Sequence, residues 1–200
     1  MKTRKLGIVA FITLLATFTF SSIKIAGNPP ALAQDPNVLR AAYQYTIDTY
    51  QEELAKARKE GNRQDEVRIL NNAGYALIYF EQYQKAIALL EQMSAIAKQT
   101  NNQFWQGMAL DELGPVYFVM GNYAKAIELQ KESLAIYQTN KILCSQMYTV
   151  AHLGLTQARA GQLASAETSL QEAIKISENC DRRNSPVTAY SRNTMAENLG

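Results

Sequence analysis

The sequence predicts an all-α solenoid of antiparallel helix hairpins, and three observations predict it. First, three stretches align without gaps at a 40-residue period: NNAGYALIYFEQYQKAIALLEQMSAIAKQ from Asn71, DELGPVYFVMGNYAKAIELQKESLAIYQT from Asp111 and AHLGLTQARAGQLASAETSLQEAIKISEN from Ala151. A fixed period of this size marks a repeat architecture. Second, small residues fill two columns, Gly74, Gly114 and Gly154 in one and Ala86, Ala126 and Ala166 in the other. Third, apolar residues recur at spacings of three and four on both sides of a short turn, as in Leu110, Leu113, Tyr117 and then Tyr123, Ala126, Ile127.

Residues 1–33 read as a secretory signal peptide. A basic start, Met-Lys-Thr-Arg-Lys, leads into an apolar run from Leu6 to Phe20 and then to a small-x-small cleavage site at Ala31 and Ala33. The alternative is an uncleaved anchor, but Thr13, Thr17 and Thr19 interrupt a run already short for a bilayer span of roughly 20 residues. With no lipid-attachment cysteine near the site and no twin-arginine pair, unfolded export is the expected route. The compartment expected is therefore extracytoplasmic: periplasm or medium, or a thylakoid lumen in a photosynthetic host. No membrane contact is expected after cleavage.

Removing that segment changes the charge argument. Four of the 20 basic residues, Lys2, Arg4, Lys5 and Lys24, precede residue 34 and no carboxylate does, which leaves 16 basic against 18 acidic residues, a net charge of −2. A mildly acidic domain without a basic stripe is a poor partner for nucleic acid, whose binding needs many phosphate-neutralising side chains.

The mature chain divides in order. Residues 34–62 form an N-terminal capping helix, a half repeat: Asp35-Pro36 places a capping side chain before a proline at the first helical position, and Gly61 closes the helix. Its Tyr43, Thr46, Ile47, Tyr50 and Leu54 precede Tyr83, Ala86, Ile87, Leu90 and Ser94 by one period. Three hairpins follow at 64–101, 103–140 and 142–180. Their turns are marked by Glu81-Gln82, Met120-Gly121-Asn122 and Ala160-Gly161-Gln162. Residues 185–200 repeat the capping device with Ser185-Pro186, and a polar end helix there gives the array the wetted terminal face it needs for solubility. Gly74 with Ala86, Gly114 with Ala126 and Gly154 with Ala166 are expected to bring the two helices of each hairpin into close backbone contact.

On these residues the chain resembles the tetratricopeptide repeat family. The second unit matches its pattern best, with Leu110, Leu113-Gly114, Tyr117, Gly121, Tyr123 and Ala126; the first keeps Leu70, Gly74, Tyr83 and Ala86, and the third Leu153-Gly154, Gly161 and Ala166. Met93 and Ser133 depart from the usual alanine, Ala173 conforms, and the usual proline after the second helix is missing. That absence fits a longer repeat similar to the kinesin light chain type. The resemblance implies a right-handed superhelix whose inner wall, made by the first helix of each hairpin, holds a protein or peptide segment.

By the same resemblance the wall carries Arg68, Asn71, Tyr75, Ile78 and Tyr79 in the first unit. It carries Met108, Asp111, Pro115, Phe118 and Val119 in the second, and Tyr148, Ala151, Leu155, Ala158 and Arg159 in the third. Such a surface suits apolar side chains of an extended or helical partner, with Arg68 and Asn71 placed to bond its backbone. The plainer reading is that Tyr75, Tyr79 and Phe118 pack against neighbouring helices. An acidic chaperone tail is not expected, because the clamp positions hold Asn71, Tyr75, Glu112, Tyr148 and His152 instead of a cation cluster. Pro115 inside a helix is either a tolerated kink or frees the Asp111 carbonyl for a ligand.

Cys144 stands at the start of the last hairpin and Cys180 just past its end, where antiparallel helices bring their ends together. Export makes a disulfide between them the expectation, and two unpaired thiols the alternative. No metal site, cofactor or catalytic function is expected: His152 is the single histidine, no Gly-x-Ser-x-Gly elbow, phosphate loop or His-Glu-x-x-His occurs, and adjacent carboxylates such as Glu52-Glu53 point apart on a helix. The function expected is an exported adaptor or assembly scaffold. The alternative is a self-associating or regulatory module related to repeat arrays that precede a catalytic domain.

Overall fold

Residues 35–180 are described by a computed structural model, and every regular element among them is an α-helix. Seven helices follow one another: α1 Pro36–Glu60, α2 Arg63–Tyr79, α3 Tyr83–Gln99, α4 Gln103–Val119, α5 Tyr123–Thr139, α6 Leu143–Arg159 and α7 Leu163–Ser177. The signal-peptide and end-helix expectations, 1–33 and 185–200, lie outside the described residues. The helices fall into two compact units divided between Ile96 and Ala97.

One device makes every joint. Gly61, Glu81, Asn101, Gly121, Lys141 and Gly161, spaced 20 residues apart, all have positive φ, between 53° and 78°. At each, the next residue's N–H reaches back five residues, as in Asn62 to Ala57 (2.9 Å), Gln82 to Leu77 (2.8 Å), Asn102 to Ala97 (2.8 Å) and Ile142 to Tyr137 (2.9 Å). This left-handed closure satisfies carbonyls that a helix end leaves orphaned. The residue after the left-handed one then opens the following helix. Asn62, Asn102 and Asn122 each accept the N–H of the third residue on, while Ile142 and Gln162 make no such bond. α1 starts on Asp35, whose side chain accepts from the Asn37 N–H, with Pro36 at its first position.

In unit 1, Glu66 of α2 is 2% exposed and receives Arg58 Nε of α1 at 2.7 Å and its own helix's Arg63 Nη1 at 2.6 Å. Arg58 also donates to Gln92 Oε1 of α3 at 3.0 Å, so a single guanidinium ties three helices. Burial works to raise the Glu66 pKa, but the hydrogen bonds and charges of Arg58 and Arg63 outweigh it and hold the carboxyl below its ordinary value. Leu70, Leu77, Leu90 and Met93 fill the core between these helices. Tyr43 of α1 meets the Phe80 ring edge-on at 5.4 Å, and Lys85 Nζ donates to the Tyr43 hydroxyl at 2.7 Å.

In unit 2, α4 pairs with α5 and α6 with α7, while α5 packs against α6. Ser133, fully buried where alanine is usual, donates to the Gly107 carbonyl at 2.8 Å. A Cβ on Gly107 would lie 2.7 Å from Cε1 of Tyr137, so this glycine is the seat of a buried ring. Cys144 and Cys180 form a disulfide with Cα atoms 5.1 Å apart, tying the start of α6 to the end of α7.

The glycine columns make room for a facing side chain, and at Gly154 for a backbone carbonyl of the alanine column as well. The atoms nearest a Cβ on Gly74 are all of Leu90 (from 2.9 Å), and those nearest one on Gly114 are all of Gln130 (from 2.8 Å). At Gly154 they are Leu170 (2.8 Å) and then the Ala166 carbonyl (3.2 Å). Each glycine is a notch for a side chain one turn beyond the alanine column. Ala86, Ala126 and Ala166 are themselves buried, leaving room for that side chain to enter.

Candidate functional site

The expected wall residues sit on α2 in unit 1 and on α4 and α6 in unit 2, and the structure sorts them. In unit 1, Asn71 is a correction. It is buried and its Oδ1 is sealed from solvent with no hydrogen-bond partner, because α2 is covered by α1 on one side and by α3, through the Gly74–Leu90 contact, on another. That oxygen is therefore not presented to a bound backbone. Arg68 is held by Asp65 on its own helix at 2.9 Å, Tyr79 packs edge-on against Phe80 at 5.4 Å, and Tyr75 is exposed.

In unit 2 two lines of side chains run along the first helices. α6 carries Tyr148, His152, Leu155 and Arg159 at helical spacing; Tyr148 is 44% and Leu155 54% exposed, and Arg159 is exposed as well. α4 carries Met108, Asp111, Pro115, Phe118 and Val119; Val119 is exposed, whereas Phe118 is half-buried against the Tyr123 ring at 5.6 Å. The helix runs through Pro115 without ending. The packing alternative therefore describes Phe118, whose partner Tyr123 opens α5, while Tyr148 and Leu155 face outward.

Asp111 joins the two lines. Its Oδ1 accepts from Thr149 Oγ1 of α6 at 2.8 Å, and Thr149, itself fully buried, was not among the residues the sequence singled out. Burial raises the Asp111 pKa, while the neighbouring His152 and the Thr149 hydroxyl act in the opposite sense without cancelling it. Burial likewise pushes the Tyr137 phenol far above its usual range, and the carboxylates of Asp111 and Glu112 push it further. His152 Nδ1 is sealed and lacks a hydrogen-bond partner. Among the described residues, no three His, Cys, Asp or Glu side chains converge as a metal site would require, and no helix is long and apolar enough to cross a membrane.

Antiparallel helix pairs repeating at 40 residues, closed by left-handed joints and notched by glycine, make up a tetratricopeptide-like repeat fold. The tetratricopeptide repeat family model matches residues 107–139, the hairpin of α4 and α5, and the chain carries repeats similar to those of kinesin light chain. Among solved structures, the putative kinesin light chain TPR-like repeats of Podosopora anserina superpose with a TM-score of 0.60 at 21% identity, over 82% of this chain and 79% of that one. BtubC (BKLC) from P. vanneervenii gives 0.62 at 17% identity, over 74% and 60% respectively. The apo form of RapI gives 0.65 at 18% identity, over 91% and 52%. The chain thus spans little more than half the length of the last two, and at these identities the likeness concerns the fold. No curated protein matches the sequence.

Proposed function

We propose that the protein is an exported adaptor or assembly scaffold that holds a segment of another protein along the first helices of unit 2. Repeats of this class mediate protein–protein interaction. The observation that carries the reading is the outward-facing Tyr148 and Leu155, two large apolar side chains seven residues apart on α6. Paired apolar residues at that spacing give a docked segment two pockets in register, the usual way a helical face anchors a peptide. The Cys144–Cys180 bond supports an oxidising compartment, since such bonds persist outside the reducing cytosol.

Site-specific photocrosslinking tests it. Benzoylphenylalanine in place of Tyr148 is expected to trap defined protein species in the exported fraction, while the same group in place of exposed Lys131 on α5 does not. Identical species from both positions, or none from position 148, would overturn it.

Self-association is the second reading, favoured by Leu163 and Ile174 on α7, which are 70% and 65% exposed. Sedimentation of the full chain against a Leu163→Glu, Ile174→Glu variant decides it: a dimer lost in the variant supports this reading, and a monomer in both removes it.

A further inference from the structure

Charge on α4 is one-sided. α4 contains no lysine or arginine, and its two charged residues, Asp111 and Glu112, stand side by side near its middle. α6 has one arginine, Arg159, at its last position. The lysines of the α4–α5 hairpin, Lys125 and Lys131, both belong to α5, where Lys125 is taken up by Glu128 at 2.6 Å. Asp111 is thus a half-buried carboxylate whose one described hydrogen bond comes from the neutral Thr149 hydroxyl. Among the described residues of unit 2, the titratable groups near it are Glu112 on its own helix, Tyr137 from α5 and His152 from α6. None of these is a permanent cation.

Taking a carboxylate partly out of water is costly, and here burial outweighs what His152 and the Thr149 hydroxyl return, as the raised Asp111 pKa expresses. The cost falls when an opposite charge arrives, and the apolar Tyr148 and Leu155 stand on α6 to either side of His152, which neighbours Asp111. We infer that Asp111 is the acceptor for a lysine or arginine side chain of the bound segment, with apolar residues of that segment flanking the cation and resting on Tyr148 and Leu155. The inference rests on the groove reading above and adds the chemistry of its occupant: a segment that alternates apolar and basic residues. Arg is the better fit of the two cations, because its planar fork bonds a carboxylate through two N–H groups at once.

The test pans a random dodecapeptide display library on the full chain. The most enriched binder is then synthesised with arginine and with citrulline, its neutral isostere, at each basic position. Expected are binders enriched in Arg or Lys beside apolar residues, and a citrulline analogue at least about ten-fold weaker by fluorescence anisotropy, the usual size of a lost charge-assisted bond. Asp111→Asn keeps the Thr149 acceptor and should erase the difference between the two peptides. Binders that need Tyr148 and Leu155 but show no basic enrichment, or no loss with citrulline, overturn the inference and leave the groove reading standing. Binders indifferent to a Tyr148→Ala, Leu155→Ala variant, or no binders at all, overturn both. The comparison of arginine and citrulline peptides is made on the wild-type protein, so it stands even where the Asn variant fails to fold.

Discussion

Breaking the Cys144–Cys180 bond should loosen the last hairpin by an amount the loop length sets. The bond closes a sequence separation of 36 residues, and the chain-entropy relation for a loop of that length gives about 4 kcal/mol of stabilisation through the unfolded state. With a urea slope near 2 kcal/mol per molar for a unit of this size, the unfolding midpoint of a Cys144→Ser, Cys180→Ser variant should fall by about 2 M. Trp105, the single tryptophan and buried in α4, reports unit 2 by fluorescence. Hydrogen exchange localises the effect. In an array where each hairpin contacts only its neighbours, the amides of α7 should lose protection first. Wild type treated with reductant should reproduce the variant. A midpoint moved by less than about 0.3 M would refute the loop-closure argument, because so small a shift is under 1 kcal/mol at that slope. Two free thiols titrated in the native, unreduced protein would refute the bond itself.

Three further outcomes follow from the geometry. Glu66→Gln should cost unit 1 about 1–2 kcal/mol, a modest figure because both arginine partners are half-exposed; the Glu66 pKa is depressed on folding, so the wild-type advantage is whole above about pH 4.3 and vanishes as pH falls through the lowered value, which paired acid titrations would detect or exclude. Lys141→Gly, at an exposed left-handed joint with φ of 56°, should stabilise by about 1 kcal/mol and raise the melting temperature by a few degrees; an unchanged or lower melting temperature would contradict the strain argument. The Asp111 pKa is raised on folding, so its ionisation weakens the folded state as pH rises above the unfolded value near 3.9; Asp111→Asn should therefore melt at or above wild type at pH 7, and a clear loss of stability there would show the carboxylate to be a structural need.

The repeat was legible because stacking hairpins forces one hydrophobic pattern to recur, and the columns of Gly74, Gly114, Gly154 and of Ala86, Ala126, Ala166 carry that recurrence in plain sight. The disulfide was legible because two cysteines at opposite ends of an antiparallel hairpin have few other places to be. The wall was less so. A first helix in a stack is covered on two flanks, so spacing alone does not separate an outward Tyr148 from an inward Phe118 or a sealed Asn71. The Thr149–Asp111 bond joins residues 38 apart on different helices and leaves no local signature. The pairing of Gly107 with Tyr137 is equally silent, since it occurs once and belongs to no column. The left-handed joints were visible where glycine marks them and hidden at Glu81, Asn101 and Lys141, where an ordinary residue takes the same conformation.

Those joints also set how such a chain can change length. Each connection from α2 onward is three residues long and closed by its own backbone bonds, so there is no slack to absorb one extra residue without breaking a cap. A block of 40 residues, by contrast, begins and ends on the same conformation, and its gain or loss leaves both splice points as they were. Growth by whole hairpins is then the path of least disturbance, and single-residue insertions at positions 121 or 161 should be among the worst tolerated in the molecule.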